Sequence, residues 1–160
     1  MKSRWCIILL LFLLPSILCS CAAVTREQML KDTQDFLLPQ PVKDNYALIY
    51  VVRPSGMGGV VRFNIFVNDP KKEDMEAGFT RGGKYIYFYL APGNYTLYSV
   101  AENTAEGTIS VEANKTYYLE QVPSMGFLFA RNQIKLLDEV EGKYSLKKCE
   151  QGEIKRTTFP

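Results

Sequence analysis

Tyr85, Tyr87 and Tyr89 alternate along one β-like run, so their rings share a face and form a stripe suited to stacking on sugar rings or a partner's apolar surface. Tyrosine is also a favoured strand residue, and the same stripe can simply cover the outer face of a sheet or pair across strands with Tyr95 or Tyr117. Met125-Gly126-Phe127-Leu128-Phe129-Ala130 is a second candidate. If exposed, its Met125, Phe127, Leu128 and Phe129 would mark a docking site; otherwise they lie beneath the last strand. Glu73-Asp74 with Glu76, and Asp138-Glu139 with Glu141, cluster carboxylates as a calcium site or a glycosidase does. Neither has the Asp-x-Asp-x-Asp-Gly spacing of a calcium loop, and solvated charge is the simpler reading. Ser55-Gly56-Met57-Gly58-Gly59 lacks a following Lys-Ser/Thr and leads into a strand where a phosphate loop leads into a helix, so it reads as a flexible β-loop.

The chain contains no histidine. Ser-His-Asp and Cys-His arrangements and histidine-based metal sites are therefore excluded. The expectation is a non-enzyme with no catalytic residue, no metal site and no cofactor.

The first twenty residues have a different character. Lys2 and Arg4 form a positive start, Cys6 to Leu18 an apolar core interrupted by Pro15 and Ser16, and Leu18-Cys19-Ser20 a small-residue approach to a cut. That core is shorter than the roughly 20 apolar residues of a membrane-spanning helix, so residues 1–20 read as a cleaved signal peptide. Its loss takes two of the 19 Lys and Arg and leaves 17 against 17 Asp and Glu. The mature chain is formally neutral and lacks any Lys/Arg-dense run, which argues against a nucleic-acid partner. Cys6 and Cys19 leave with the leader. The remaining 140 residues suffice for one domain with one core.

The elements that must position these residues follow from the patterning. Thr25-Arg26-Glu27-Gln28 fits a capping box, and Met29, Leu30, Thr33, Phe36 and Leu37 recur at helical spacing until Pro39 and Pro41. Residues 21–45 are expected to be a tether with one short helix, packed on its own domain in preference to a membrane or partner. Ala47 to Val52 is an unbroken run typical of a buried strand. Val61, Phe63, Ile65 and Val67 alternate with a mixed face, and Met75 to Thr80 reads as a short edge strand. Ile86, Phe88 and Leu90 oppose the three tyrosines. Ala91-Pro92-Gly93-Asn94 reads as a type II turn with positive φ at Gly93, opening a hairpin. Residues 95–102, 107–112, 116–122 and 134–137 read as further strands, and 140–149 as a helix that buries Leu146 and Cys149 on one face. Residues 150–160 look like a frayed tail. The expected fold class is all-β: a single antiparallel β-sandwich of seven or eight strands over 46–149, with short N-terminal and C-terminal helices.

The Leu18-Cys19-Ser20-Cys21 sequence resembles the leader end of bacterial lipoproteins. That resemblance implies cleavage between Ser20 and Cys21, and a thioether-linked diacylglycerol with an amide-linked acyl chain on Cys21. It leaves Cys149 as a lone thiol, expected to be buried rather than paired between molecules. Ala22 and Ala23 follow the cysteine in place of Asp, which implies the outer membrane before the inner, with the domain facing the periplasm. Two or three acyl chains anchor firmly.

A second resemblance covers roughly residues 46–148. Ala47-Leu48-Ile49-Tyr50-Val51-Val52-Arg53-Pro54, Leu90-Ala91-Pro92-Gly93-Asn94-Tyr95-Thr96-Leu97, Asn114-Lys115-Thr116-Tyr117-Tyr118 and Gly126-Phe127, in this order, resemble a family of bacterial envelope lipoproteins built on a domain of unknown function, series number twenty-eight forty-six. Asp69 to Gly78 is longer and more charged than that family's usual turn. The resemblance implies a β-sandwich and an envelope address, and no reaction. The expected role is a non-catalytic interaction or structural module that docks an envelope protein or self-associates. The competing expectation is a glycan- or peptidoglycan-binding protein, with carboxylate-dependent hydrolysis as its extension.

Overall fold

The computed structural model describes residues 23–125 and 130–159. The chain forms α1 (Arg26–Thr33), β1 (Ala47–Arg53), β2 (Phe63–Val67), β3 (Glu76–Thr80), β4 (Lys84–Leu90), β5 (Gly93–Val100), β6 (Thr104–Val111), β7 (Thr116–Met125), β8 (Ala130–Leu137), α2 (Glu139–Lys147), β9 (Glu150–Gln151), β10 (Glu153–Ile154) and β11 (Thr158–Phe159). Two sheets result. A six-stranded sheet has the order β11-β4-β1-β7-β8, with β9 also paired to β4, and a five-stranded sheet has the order β10-β3-β2-β5-β6.

Alternation decides what each sheet gives to the core. Ala47, Ile49, Val51, Ile86, Phe88 and Leu90 from one sheet meet Ile65, Val67, Leu97 and Val111 from the other. Each such large side chain contributes about 1.5–3 kcal/mol of burial. β1 is buried on both faces because it lies mid-sheet beneath α2 and residues 36–46, which is why its sequence is a continuous apolar run. α1 starts as its capping residues require: the Thr25 hydroxyl accepts the Gln28 N–H at 3.2 Å. It ends at Thr33, however, so Phe36 and Leu37 lie outside it.

Several expectations are corrected. The described residues hold eleven strands, not seven or eight, and the pairing is mixed: β1 runs parallel to β7, and β4 runs parallel to both β9 and β11. β3 is not an edge strand; β2 and β10 flank it and all five of its residues are buried. Residues 91–92 do not close a hairpin, because β4 and β5 belong to opposite sheets. Gly93 instead opens β5 and is absent from the described glycines at positive φ, which are Gly58, Gly78 and Gly83. The chain crosses between the sheets here, so that β4 and β5 give apolar residues to the same core from its two sides.

The tail is the largest departure. Residues 150–159 run along the open side between β3 and β4 and bond to each in turn. Gly152 N–H donates to Tyr85 O at 2.7 Å, Lys155 N–H to Ala77 O at 2.9 Å, and Tyr89 N–H to Thr157 O at 2.8 Å. Phe159 is buried and meets Phe88 edge-on at 5.7 Å. A Cβ at Gly152 would lie 3.0 Å from Phe79 O and 3.2 Å from Tyr85 O, so a larger residue would push against both strands here. The segment is a strap joining the sheets.

Candidate interaction surfaces

The tyrosine stripe is where the alternation places it, on the outer face of the six-stranded sheet, but that face is not open. Tyr85 and Tyr89 are buried and Tyr87 is half-buried, in a cluster with Leu48, Tyr50, Val52, Tyr118, Leu137 and Leu146. Tyr50 stacks on Tyr118 at 5.8 Å and meets Tyr85 edge-on at 5.9 Å, while Tyr87 meets Tyr89 at 6.0 Å. The cross-strand ring partner of Tyr85 and Tyr87 is thus Tyr50, which in turn stacks on Tyr118, while Tyr95 and Tyr117 belong to the core cluster of the other face.

The cover comes from both ends of the chain. Phe36, Leu38 and Tyr46 pack on the cluster from the N-terminal side, and Cys149 from the C-terminal side. The Tyr50 hydroxyl accepts the Gln40 N–H at 3.0 Å, and the Tyr89 hydroxyl donates to Pro41 O at 2.9 Å. Lys43 Nζ lies 4.1 Å above the Tyr89 ring. Burial pushes the Tyr50, Tyr85, Tyr89 and Tyr118 phenols up from their ordinary values. A face so occupied cannot serve as a stacking platform without displacing the segment that covers it.

The five-stranded sheet is the reverse. Phe66 stands opposite Tyr98, and on the next strand Asn94, Thr96 and Tyr98 stand opposite Ser110, Thr108 and Glu106. These positions alternate with core residues Ile65, Val67 and Leu97, which puts them on the outer face. Phe66, Thr96 and Tyr98 are half-buried, and Asn94, Glu106, Thr108 and Ser110 are exposed. On the other sheet α2 packs against β1, β7 and β8, and α1 packs on α2.

At the β3 end of this open face the Arg62 guanidinium sits 4.5 Å over Phe79. A groove of about 330 Å³ near its other end is lined by Asn68, Asn94, Thr96, Thr108 and Ser110, with Tyr95 and Ile109 beneath. Asn68 shapes the rim: at φ 62° it takes the left-handed conformation that asparagine tolerates, and its Oδ1 accepts the Thr96 N–H at 3.1 Å. Aromatic edges beside amides and hydroxyls suit binding. The sequence signal for this surface was the mixed half of the β2 and β5 alternation.

Several acids of the two clusters are engaged in caps and ion pairs. The Asp138 carboxylate caps α2 through the Val140 and Glu141 N–H groups at 2.9 and 3.0 Å and pairs with Arg26 at 2.5 Å. The Glu141 N–H and Arg26 together hold Asp138 below the usual carboxylate range. Glu139 pairs with Lys143 at 2.7 Å. Glu76 is buried, accepting from Asn64 at 2.7 Å and pairing with Lys155 at 2.6 Å. Among the described residues no group of three or more His, Cys, Asp or Glu is placed to hold a metal ion.

The glycine-rich loop is pinned. Buried Arg53 donates to the carbonyls of Met57, Gly58 and Val61 at 2.9, 2.8 and 2.7 Å, and its guanidinium stacks 3.7 Å over Phe63. Its carbonyls therefore face a cation, the opposite polarity from a phosphate cradle. Cys149 is a free, half-buried cysteine whose thiol burial pushes up to about 11. Ser20 and Cys21, and Phe127, Leu128 and Phe129, lie outside the described residues. Met125 ends β7 in register with Ala130.

No curated protein and no solved structure matches the chain. A family model described as "Protein of unknown function (DUF2846)" matches residues 43–133. That span runs from just before β1 into β8 and holds most of both sheets, while α1, α2 and the strap lie outside it. With more than half of its 160 residues matched, the chain belongs to the DUF2846 family of proteins of unknown function.

Proposed function

We propose that this protein is a bacterial envelope lipoprotein, anchored to the outer membrane through acylated Cys21, whose β-sandwich faces the periplasm as a non-catalytic interaction module. The leader-like residues 1–20, followed directly by Cys21, support the anchor. The observation that carries the module reading is the asymmetry of the two outer faces. The chain covers its tyrosine face with α2 and its own 34–46 segment and leaves the Phe66 and Tyr98 face of the five-stranded sheet to solvent. In this reading an envelope protein, or a second copy of the chain, docks there.

Photo-crosslinkers placed at Tyr98 and at Tyr87 in cells test it. A protein adduct at Tyr98 and none at Tyr87 is the expected result. Adducts at Tyr87 alone, or none at Tyr98, reject this docking face. The anchor is tested separately, by loss of fatty-acid labelling in Cys21→Ala.

One observation favours a second reading, in which the ligand is a cell-wall glycan. The amides and hydroxyls of Asn68, Asn94, Thr96, Thr108 and Ser110 line the groove beside the open face, a donor and acceptor set that suits sugar hydroxyls. The engagement of Asp138, Glu139 and Glu76 in caps and ion pairs supports binding over hydrolysis. Saturable co-sedimentation with peptidoglycan, lost in Asn94→Ala/Thr108→Ala, would move the assignment to this reading.

A further inference from the structure

Exposed apolar side chains are unevenly placed on this protein. Among the described residues seven large hydrophobics are exposed, and four of them, Val24, Leu30, Leu37 and Val42, fall within residues 24–42. Leu37 is 86% and Leu30 51% exposed. They belong to the layer that covers the tyrosine face. Met29 and Thr33 turn toward the domain on α1, with Leu30 beside them facing out. α1 itself is tied to α2: Arg26 pairs with Asp138, and Lys147 Nζ donates to Asp32 O at 2.6 Å.

The anchor position decides which way this layer faces. Five peptide units separate Cys21 from Arg26, where α1 begins. Fully extended they reach at most about 18 Å. A compact domain of this size is roughly 35 Å across. A tether that short keeps the N-terminal layer on the membrane side and leaves the outer face of the five-stranded sheet on the far side.

We propose that Leu30, Leu37 and Val42 are a second membrane contact, resting in the lipid interface so that the domain lies on the bilayer with its Phe66 and Tyr98 face toward the aqueous compartment. This rests on the acylation of Cys21 proposed above. The occupant is lipid because the anchor delivers lipid, and not a soluble partner, to this side of the fold. The contact is made by a few apolar side chains; the charges of α1, Arg26, Glu27, Lys31 and Asp32, are mixed and supply little attraction to an anionic surface.

The test uses the full acylated chain in phospholipid vesicles, with Cys149→Ser to leave one labelling site. An environment-sensitive fluorophore is attached at Leu37→Cys or, as the far-side control, at Thr108→Cys. Quenchers carried on lipid tails should quench residue 37 at least about threefold more than residue 108, and iodide in solution should quench residue 108 more. Equal quenching at both sites, in protein whose mass shows the acyl chains, overturns the membrane contact while the anchor stands. Shielding of residue 37 from both quenchers also overturns it, because a protein then covers the layer. A chain whose mass lacks acyl groups overturns the anchor reading and this inference with it.

Discussion

The outer faces of the two sheets present similar alternating patterns and meet opposite fates. Tyr85, Tyr87 and Tyr89 on β4, with Tyr50 and Tyr118, are sealed under α2 and the 34–46 segment, whereas Phe66, Tyr98, Thr96 and Thr108 on the five-stranded sheet keep their contact with water. An aromatic stripe on a strand therefore identifies a face, not a binding site. What decides exposure is whether another segment of the chain returns to that face, and here both termini return to the same sheet or its edge.

If the covered side belongs to the folding unit and the open side does not, substitutions should separate them by magnitude. Phe159→Ala removes the buried end of the strap from its edge-on contact with Phe88 and should cost about 3–5 kcal/mol, read by denaturant unfolding. A cost near zero would show that residues 150–159 are dispensable. Cys149, under the same cover, should react with a thiol reagent roughly a hundredfold more slowly at neutral pH in the native protein than in denaturant, because burial suppresses its thiolate. Equal rates would place the thiol in water.

Gly142→Ala should lift α2 from the sheet. The added Cβ would stand 2.2 Å from Tyr118 Cγ, and overpacking of this kind costs about 1–3 kcal/mol. Asp138→Ala, which uncaps the same helix, should lower stability at neutral pH by less than Gly142→Ala does. The Asp138 pKa is held below its ordinary 3.8, so this contribution is complete above that value and is lost as pH falls through the lowered one. The variant should lose some of the acid slope of stability that the parent shows. On the open side, Thr108→Ala should change stability by less than about 0.5 kcal/mol. A larger loss there would mean that the five-stranded sheet also depends on its outer face.

The legible elements of the fold were those with local causes. The N-cap at Thr25, the uninterrupted apolar run of β1 and the alternation of β2 and β4 each specify an element within a few residues, although the Gln28 side chain bonds Asp32 and does not complete a capping box. The strap was not legible, because strands of two residues have no period to read. Gly152 matters only through its closeness to Phe79 and Tyr85, which are distant in sequence. The parallel pairing of β1 with β7 joins segments more than sixty residues apart and leaves no mark on either. The family resemblance was legible over the two sheets, where the family model also matches, and α2 and the strap that complete the covered side lie outside that match.

For the candidate surfaces the division is similar. Alternation alone put the three tyrosines on one face and Phe66 with Asn64 on another, because neighbouring strand residues must point opposite ways. Composition alone removed histidine chemistry. Which face stayed open was decided by tertiary structure, through Gln40 and Pro41 bonding to buried tyrosine hydroxyls and α2 closing over Tyr118. Solvent exposure depends on every segment that packs nearby, and a strand's own residues carry no record of those segments.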